Sequence, residues 1–313
     1  AGEVKVRVAF AGLNFAEVSA RQGIYPDAPP SPFVAGYEAS GVVEALGAGV
    51  TGLAVGDRVV ALTRFGGHAE VVCAPAVQVL KLPASMSFEQ GAALPVNYLT
   101  AYHMLFRVAG LRPGQSVLVH MAAGGVGLAV LQLCRTVERV TVFGTASASK
   151  HDVLREQGCA HPIDYRTTDY AEEVRRRTGG KGVDIVLDPL GGNDWKKGYG
   201  LLRPAGKLVA YGFANMQSGE RRSLLTLASQ AVKIPIYTPL KLMDDNRSVA
   251  GVNVGHLWNE AELLREELEA LLALFELGQI KPRIDEIFPF DRAAEAHGRL
   301  EQRKNIGKVL LRP

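Results

Sequence analysis

Ser116-Val117-Leu118-Val119-His120-Met121-Ala122-Ala123-Gly124-Gly125-Val126-Gly127 decides the fold. A short apolar strand follows the Pro113-Gly114 turn and runs into a glycine loop. Gly125 to Val137 then carries helical periodicity. Aligned on G-x-G-x-x-G, Ala122 takes the first glycine position, Gly124 the second and Gly127 the third. The middle glycine lets the backbone approach a pyrophosphate, and the last permits close helix–strand packing. The helix N-terminus supplies unpaired N–H groups and partial positive charge for the phosphates. The flanking strand and helix give the motif a specificity that a lone glycine pattern lacks. Ala123, Gly124, Gly125, Val126 and Gly127 are therefore cofactor-binding candidates.

Downstream the alternation continues. Arg139 to Gly144, Ile163 to Tyr165, Val183 to Leu187 and Lys207 to Tyr211 read as strands. Lys150 to Gln157 and Tyr170 to Thr178 read as helices. Strands alternating with helices imply a parallel sheet covered on both faces. Val249 to His256 reads as one more strand. Asn259 is placed to cap a long helix with Glu262 at the capping-box position. Ser223 to Val232 reads as a helix inside a less regular, apolar stretch. Upstream, Val4, Val6 and Val8 alternate with charged residues, and short strands with glycine turns follow, a barrel-like β pattern.

The 313 residues suggest about two domains, and a net charge of +3 with 47% hydrophobic residues describes a globular chain. Glycine is enriched, at 34 residues. Three cysteines exclude a disulfide framework and a four-cysteine zinc site. Arg175-Arg176-Arg177 follows Glu172-Glu173 and reads as a solvated helix face, so no nucleic-acid partner is expected. No apolar stretch is long enough to span a bilayer. With no leader evident and free cysteines, the expected location is cytoplasmic.

The acid that holds the NAD ribose hydroxyl about 20 residues beyond the fingerprint is missing. Val142-Phe143-Gly144-Thr145-Ala146-Ser147-Ala148-Ser149-Lys150 offers small residues, hydroxyls and a lysine instead. Thr145, Ser147 and Lys150 suit a 2′-phosphate, which predicts NADPH over NADH.

The chain resembles the zinc-free quinone oxidoreductase branch of the medium-chain dehydrogenase/reductase superfamily. Asn14-Phe15, Arg21-Gln22-Gly23-Ile24-Tyr25-Pro26, Gly36-Tyr37-Glu38, Gly56-Asp57-Arg58-Val59, Leu99-Thr100-Ala101, the glycine loop, Asp188-Pro189-Leu190-Gly191-Gly192 and Gly307-Lys308-Val309-Leu310 carry the likeness in family order. His120 to Gly127, Thr141 to His151 and His161 to Tyr165 bring it nearest to the vesicle amine transport protein 1-like group. The resemblance implies a Rossmann domain, a doubly wound parallel sheet in an α/β fold, inserted in a GroES-like, partly open β-barrel domain. The expected boundaries are 1–96 with 260–313 for the catalytic domain and 97–259 for the NADP-binding domain. The family's usual leading strand region before Val4 is absent, which suggests a trimmed start.

The likeness further implies 2′-phosphate contacts from Lys150 and Tyr165, nicotinamide-side contacts from Thr100 and Asn305, and dimerisation through the Val249 to His256 strand. Tyr211 completes the cofactor-side set. Zinc-dependent relatives use a cysteine and a histidine where this chain has Asn14 and Tyr37. An amide and a neutral phenol are poor zinc ligands, and His68 reads as structural, so no metal is expected. The expected chemistry is hydride transfer from NADPH to a conjugated acceptor such as a quinone or enone. Asn14 and Tyr25 would serve as hydrogen-bond donors to the developing oxyanion. Ser19, where some quinone reductases carry a second tyrosine, enlarges the pocket. Glu17 replaces an aspartate common in relatives. One alternative is an enoyl-thioester or tailoring reductase. Another is a lipid- or membrane-binding module using Leu224 to Met243 as a flap, a reading less favoured than a dimer-side loop.

Overall fold

The computed structural model describes residues 1–216 and 229–313. The chain divides into two compact units, Ala1–Leu99 with Val254–Pro313, and Thr100–Asn253.

In the first unit, β1 (Glu3–Leu13), β2 (Glu38–Leu46), β3 (Arg58–Leu62), β4 (Val71–Pro75) and β5 (Val79–Lys81) come from the N-terminal third. Helices α1 (Phe15–Arg21), α2 (Phe88–Ala93) and α3 (Pro95–Tyr102) accompany them. Val4, Val6 and Val8 alternate inward along β1, as their spacing predicts, and pack with Val43, Val59 and Val72.

The second unit holds a six-stranded, wholly parallel sheet. Its strands are β6 (Ser116–Val119), β7 (Thr141–Ala146), β8 (His161–Asp164), β9 (Val183–Asp188), β10 (Leu202–Ala210) and β11 (Ser248–Gly251). The order is β11-β10-β9-β6-β7-β8. The chain runs from β6 to β7 and β8 on one side and then crosses from β8 to β9 on the other side of β6, so β6 and β9 flank a topological switch point, where doubly wound sheets bind ligands. Helices α4 (Gly125–Cys134), α5 (His151–Glu156), α6 (Tyr170–Arg177) and α7 (Asn193–Tyr199) alternate with the strands. Leu118, Phe143, Ile163, Val174 and Leu208 form part of the core.

Helix α8 (Pro239–Asp245) precedes β11, and Val254 returns the chain to the first unit. There α9 (Ala261–Glu276), β12 (Ile284–Pro289), α10 (Ala293–Glu301) and β13 (Lys308–Arg312) follow. The seven-stranded sheet runs β12-β13-β1-β2-β3-β5, with β4 on β1.

Three expectations need correction. The strand Val249 to His256 stops at Gly251, and Val254–Leu257 forms a 3₁₀ turn, because Gly251, Asn253 and Gly255 favour turning over extended pairing. The long helix begins after Glu260 with no side-chain cap, so Asn259 and Glu262 form no capping box. Leu264, Leu268, Leu271 and Leu272 of this helix are nevertheless buried on one face. The helix expected to reach Val137 ends at Cys134. The helix expected at Ser223 to Val232 lies largely outside the described residues, as does the start of the apolar stretch Leu224 to Met243.

Candidate active site

The glycine loop sits at the switch point. The His120 N–H donates to the Leu187 carbonyl at 3.2 Å and the Ala122 N–H to the Thr145 carbonyl at 3.0 Å, tying the loop to β9 and β7. A Cβ on Gly127 would lie 2.6 Å from the Ala122 backbone, so α4 approaches the loop as closely as only glycine permits. The α4 N-terminus therefore presents its unpaired N–H groups beside Gly124, a cradle suited to a pyrophosphate.

Thr145 and Ser147 are buried at the C-terminal end of β7, and the Ser147 and Ser149 hydroxyls lie 3.4 Å apart. Lys150 closes the following 3₁₀ turn. Tyr165 is 42% exposed after β8, with the Arg166 guanidinium 6.0 Å from its ring centre. Arg166 is a cation the sequence reading missed; its only signal was adjacency to Tyr165. The Tyr211 N–H donates to the Asp188 carbonyl at 3.0 Å. Thr100 stands half-buried on α3.

Beneath the loop lies a polar cluster the sequence reading also missed. His120 is fully buried, edge-on to Tyr170 at 4.6 Å, with Nδ1 3.1 Å from the Thr145 hydroxyl. Asp188 is equally buried and accepts from the Leu190 and Gly191 N–H groups at 2.6 and 3.2 Å, which shapes the Pro189–Gly192 loop. Burial holds the His120 imidazole below its ordinary range and the Asp188 carboxyl above its own. Asp188 ends β9 and His120 directly follows β6, each next to a glycine-rich loop, the one signal that could have marked them.

In the first unit, Asn14 departs from expectation. Its Nδ2 donates to Glu38 Oε1 at 2.9 Å and to Glu17 Oε1 at 3.3 Å, while its Oδ1 accepts from Lys308 Nζ at 2.5 Å. The carboxylates and the ammonium fix the amide orientation, and both amide hydrogens are committed. Asn14, expected from sequence to be an oxyanion donor, thus has its side-chain amide paired with Glu17, Glu38 and Lys308. Lys308 pairs with Glu38, at 3% and 0% side-chain exposure. Glu38 Oε2 accepts from the Val96 N–H at 2.7 Å. The Glu38 carboxylate occupies the space a side chain on Gly12 would fill. Glu17 accepts from the Asn14 N–H at 2.9 Å, and burial pushes its carboxyl up to about 7.

Ser19 is buried and donates to the Phe15 carbonyl at 2.9 Å within its own helix. His68 holds the Gly12 carbonyl at 3.0 Å, the structural role expected of it. Asn305 donates to the Gly307 carbonyl at 2.9 Å. Tyr25 stands edge-on to Tyr37 with ring centres 6.3 Å apart. Cys134 and Cys159 are buried, which pushes their thiols up to about 12 and about 11. Among the described residues no three His, Cys, Asp or Glu side chains gather as a metal-holding group. No described helix is long and apolar enough to cross a membrane.

A glycine cradle at the switch point of a doubly wound sheet, in a chain that also carries a seven-stranded β unit, defines a dehydrogenase/reductase of the medium-chain type. Residues 1–84 match the alcohol dehydrogenase GroES-like domain, and residues 157–311 match the zinc-binding dehydrogenase family. The rat synaptic vesicle membrane protein VAT-1 homolog is 54% identical over 100% of this chain and 77% of its own length. The human VAT-1 homolog-like crystal structure superposes with a TM-score of 0.86 at 42% identity, covering 100% of this chain and 89% of the other. Escherichia coli quinone oxidoreductase complexed with NADPH gives 0.87 at 30% identity, covering 100% and 92%. The chain belongs to the quinone oxidoreductase branch of the medium-chain dehydrogenase/reductase superfamily, near VAT-1.

Proposed function

We propose that this oxidoreductase is metal-free and uses NADPH to reduce a conjugated acceptor such as a quinone or an enone. One observation carries the reading. The β7 end beside the glycine cradle presents Thr145, Ser147 and Lys150, with no carboxylate before Asp152. Ala123 to Gly127 would hold the pyrophosphate and Lys150, Tyr165 and Arg166 the 2′-phosphate. Thr100, Tyr211 and Asn305 would serve the nicotinamide side. A bound nicotinamide supplies the hydride. Tyr25 donates a hydrogen bond to the acceptor oxygen as negative charge develops there, and solvent or Tyr25 delivers the proton. Asn14 joins Glu17, Glu38 and Lys308 in one network.

Steady-state NADPH oxidation with 1,4-benzoquinone and with an enone tests the reading. Lys150→Ala is expected to raise KM for NADPH roughly ten-fold while leaving KM for NADH nearly unchanged. Failure to reduce any quinone, enone or enoyl thioester refutes it; turnover of the thioester alone favours the enoyl-reductase alternative, which the 30% identical CurK enoyl reductase structure supports.

β11 is the edge of the parallel sheet, and Val232, Ile236, Leu240 and Met243 nearby are strongly exposed. An open edge and an apolar surface support a homodimer through this strand. Sedimentation tests it. Monomeric protein that floats with liposomes without cofactor would favour the membrane reading instead.

A further inference from the structure

Strands β6, β7 and β9 end in polar side chains that stand above an apolar layer. Leu118, Phe143 and Val186 on these strands share a core with Tyr170 and Val174 of α6 and Tyr199 of α7. Side chains two residues further on fall on the same face. They are His120, Thr145 and Asp188, none more than 3% exposed. Val119 pairs in register with Leu187 on one side and Gly144 on the other, so His120 takes its place between Asp188 and Thr145. Its Nδ1 lies 3.1 Å from the Thr145 hydroxyl, and Asp188 Oδ1 holds the Leu190 and Gly191 N–H groups. One atom of each residue is left over. His120 Nε2 and Asp188 Oδ2 are buried with no hydrogen-bond partner among the described residues. Other polar groups nearby are engaged. The Tyr170 hydroxyl donates to Asp194 at 2.8 Å, Asn215 donates to the same carboxylate at 2.7 Å, and Lys197 pairs with Asp169 at 2.7 Å.

Buried polar atoms are nearly always satisfied, so orphans at neighbouring register positions call for a partner between them. Burial keeps the His120 imidazole below its ordinary range, so it is neutral with one N–H. The Thr145 hydroxyl can donate to Nδ1, which places that N–H on Nε2 and makes it a donor beside the Asp188 oxygen. Gly198 of α7 faces the same oxygen: a Cβ there would stand 3.9 Å from Asp188 Oδ2, and its absence leaves room beside it. The two residues also stand at the roots of two loops. Met121, directly after His120, holds a left-handed φ of +53°, a conformation that persists in a non-glycine residue only where its surroundings fix it. Its carbonyl accepts from the Gly124 N–H at 2.9 Å inside the cradle. Beyond Asp188, Gly191 and Gly192 turn the second loop with φ +81° and +61°.

We propose that one ordered water bridges His120 and Asp188, accepting from Nε2–H and donating to Oδ2, and that the bridged pair positions the glycine cradle against the Pro189–Gly192 loop for the dinucleotide. A polar site closed to solvent, with a donor on one strand and an acceptor on the next, suits water, which accepts and donates at once. Through it β6 and β9 carry one fixed spacing into the two loops that flank the switch point. Both residues act through the backbone that follows them. The positioning role rests on the reading of the cradle as a nicotinamide-dinucleotide site; the bridge itself does not.

The test uses the full chain. With isotope-labelled histidine, long-range proton–nitrogen spectra at neutral pH should show His120 as the Nε2–H tautomer, its proton slow to exchange and in cross-relaxation contact with a bound water. His120→Gln identifies the signal by its loss. Asp188→Asn keeps an oxygen for the two loop N–H groups and replaces the second oxygen with a donor. It should weaken NADPH and NADH binding alike, roughly three- to ten-fold by fluorescence titration. His120→Leu should do the same, while His120→Gln, which keeps a donor, should stay within about two-fold of the parent. The double variant His120→Leu with Asp188→Asn should bind no more weakly than either single one, because both break the same link. The Nδ1–H tautomer, or an Nε2–H without water contact, overturns the bridge. Unchanged dinucleotide binding in Asp188→Asn and His120→Leu, in a chain whose parent binds NADPH, overturns the positioning role and leaves the cofactor reading standing. Additive losses in the double variant also overturn that role, since they assign the effects to separate packing faults. A parent chain that binds neither dinucleotide sinks the cofactor reading and the positioning role with it, while the spectrum still decides the bridge.

Discussion

Replacing Glu17 with glutamine should flatten the pH dependence of stability near neutrality. Glu17 is 1% exposed, and burial is the largest influence on its carboxyl, raising it from 4.5 to about 7 against the opposing charge of Lys308. The native state therefore binds this proton more tightly than the unfolded chain does. The contribution is fully present below about pH 4.5, declines as pH rises, and is lost once pH passes about 7. At 1.36 kcal/mol per unit, the interval corresponds to about 3 kcal/mol, a ceiling that water penetration on ionisation would reduce. Glutamine keeps the volume and an oxygen to accept from the Asn14 N–H, but it does not titrate. Urea denaturation followed by circular dichroism at pH 5 and pH 8 measures the effect. The glutamine variant should gain on the parent chain by roughly 1–3 kcal/mol between the two conditions. An identical parent–variant gap at both pH values would refute the assignment of the proton to Glu17.

Three other outcomes follow from packing and pairing. Lys308→Met leaves the Glu38 carboxylate buried without its cation and should cost about 3–5 kcal/mol of stability, read from denaturant midpoints; a loss under about 1 kcal/mol would contradict it. Gly127→Ala forces a methyl against the Ala122 backbone, with an expected cost of about 1–3 kcal/mol and weakened NADPH binding by fluorescence titration. Asp188→Ala strips the acceptor from two backbone N–H groups in the Pro189–Gly192 loop and should destabilise by about 1–3 kcal/mol, with faster amide exchange at Leu190 and Gly191 than in the parent.

The α/β unit was legible because its information is local. A strand, a loop and a helix lie within Ser116–Cys134, and each carries its own period and breakers. The edge strand was overread because Val249 to His256 is apolar enough for a strand, while Gly251 and the residues after it end the pairing. Tyr25 and the residues around Lys150 were legible as candidates because they occupy motif positions. Arg166, His120 and Asp188 were not, since only strand order β9-β6-β7 places the last two under one loop.

Asn14 shows where one dimension runs out. By itself the sequence determined the Rossmann unit, the glycine cradle, the missing carboxylate after the second strand, and the amide and phenol at the positions of metal ligands. Only the tertiary structure decided that the Asn14 amide is spent between Glu17, Glu38 and Lys308, a network that joins residues 270 positions apart. The physical reason is that periodicity and capping act over a few residues, whereas satisfaction of buried polar groups is settled only when distant strands meet.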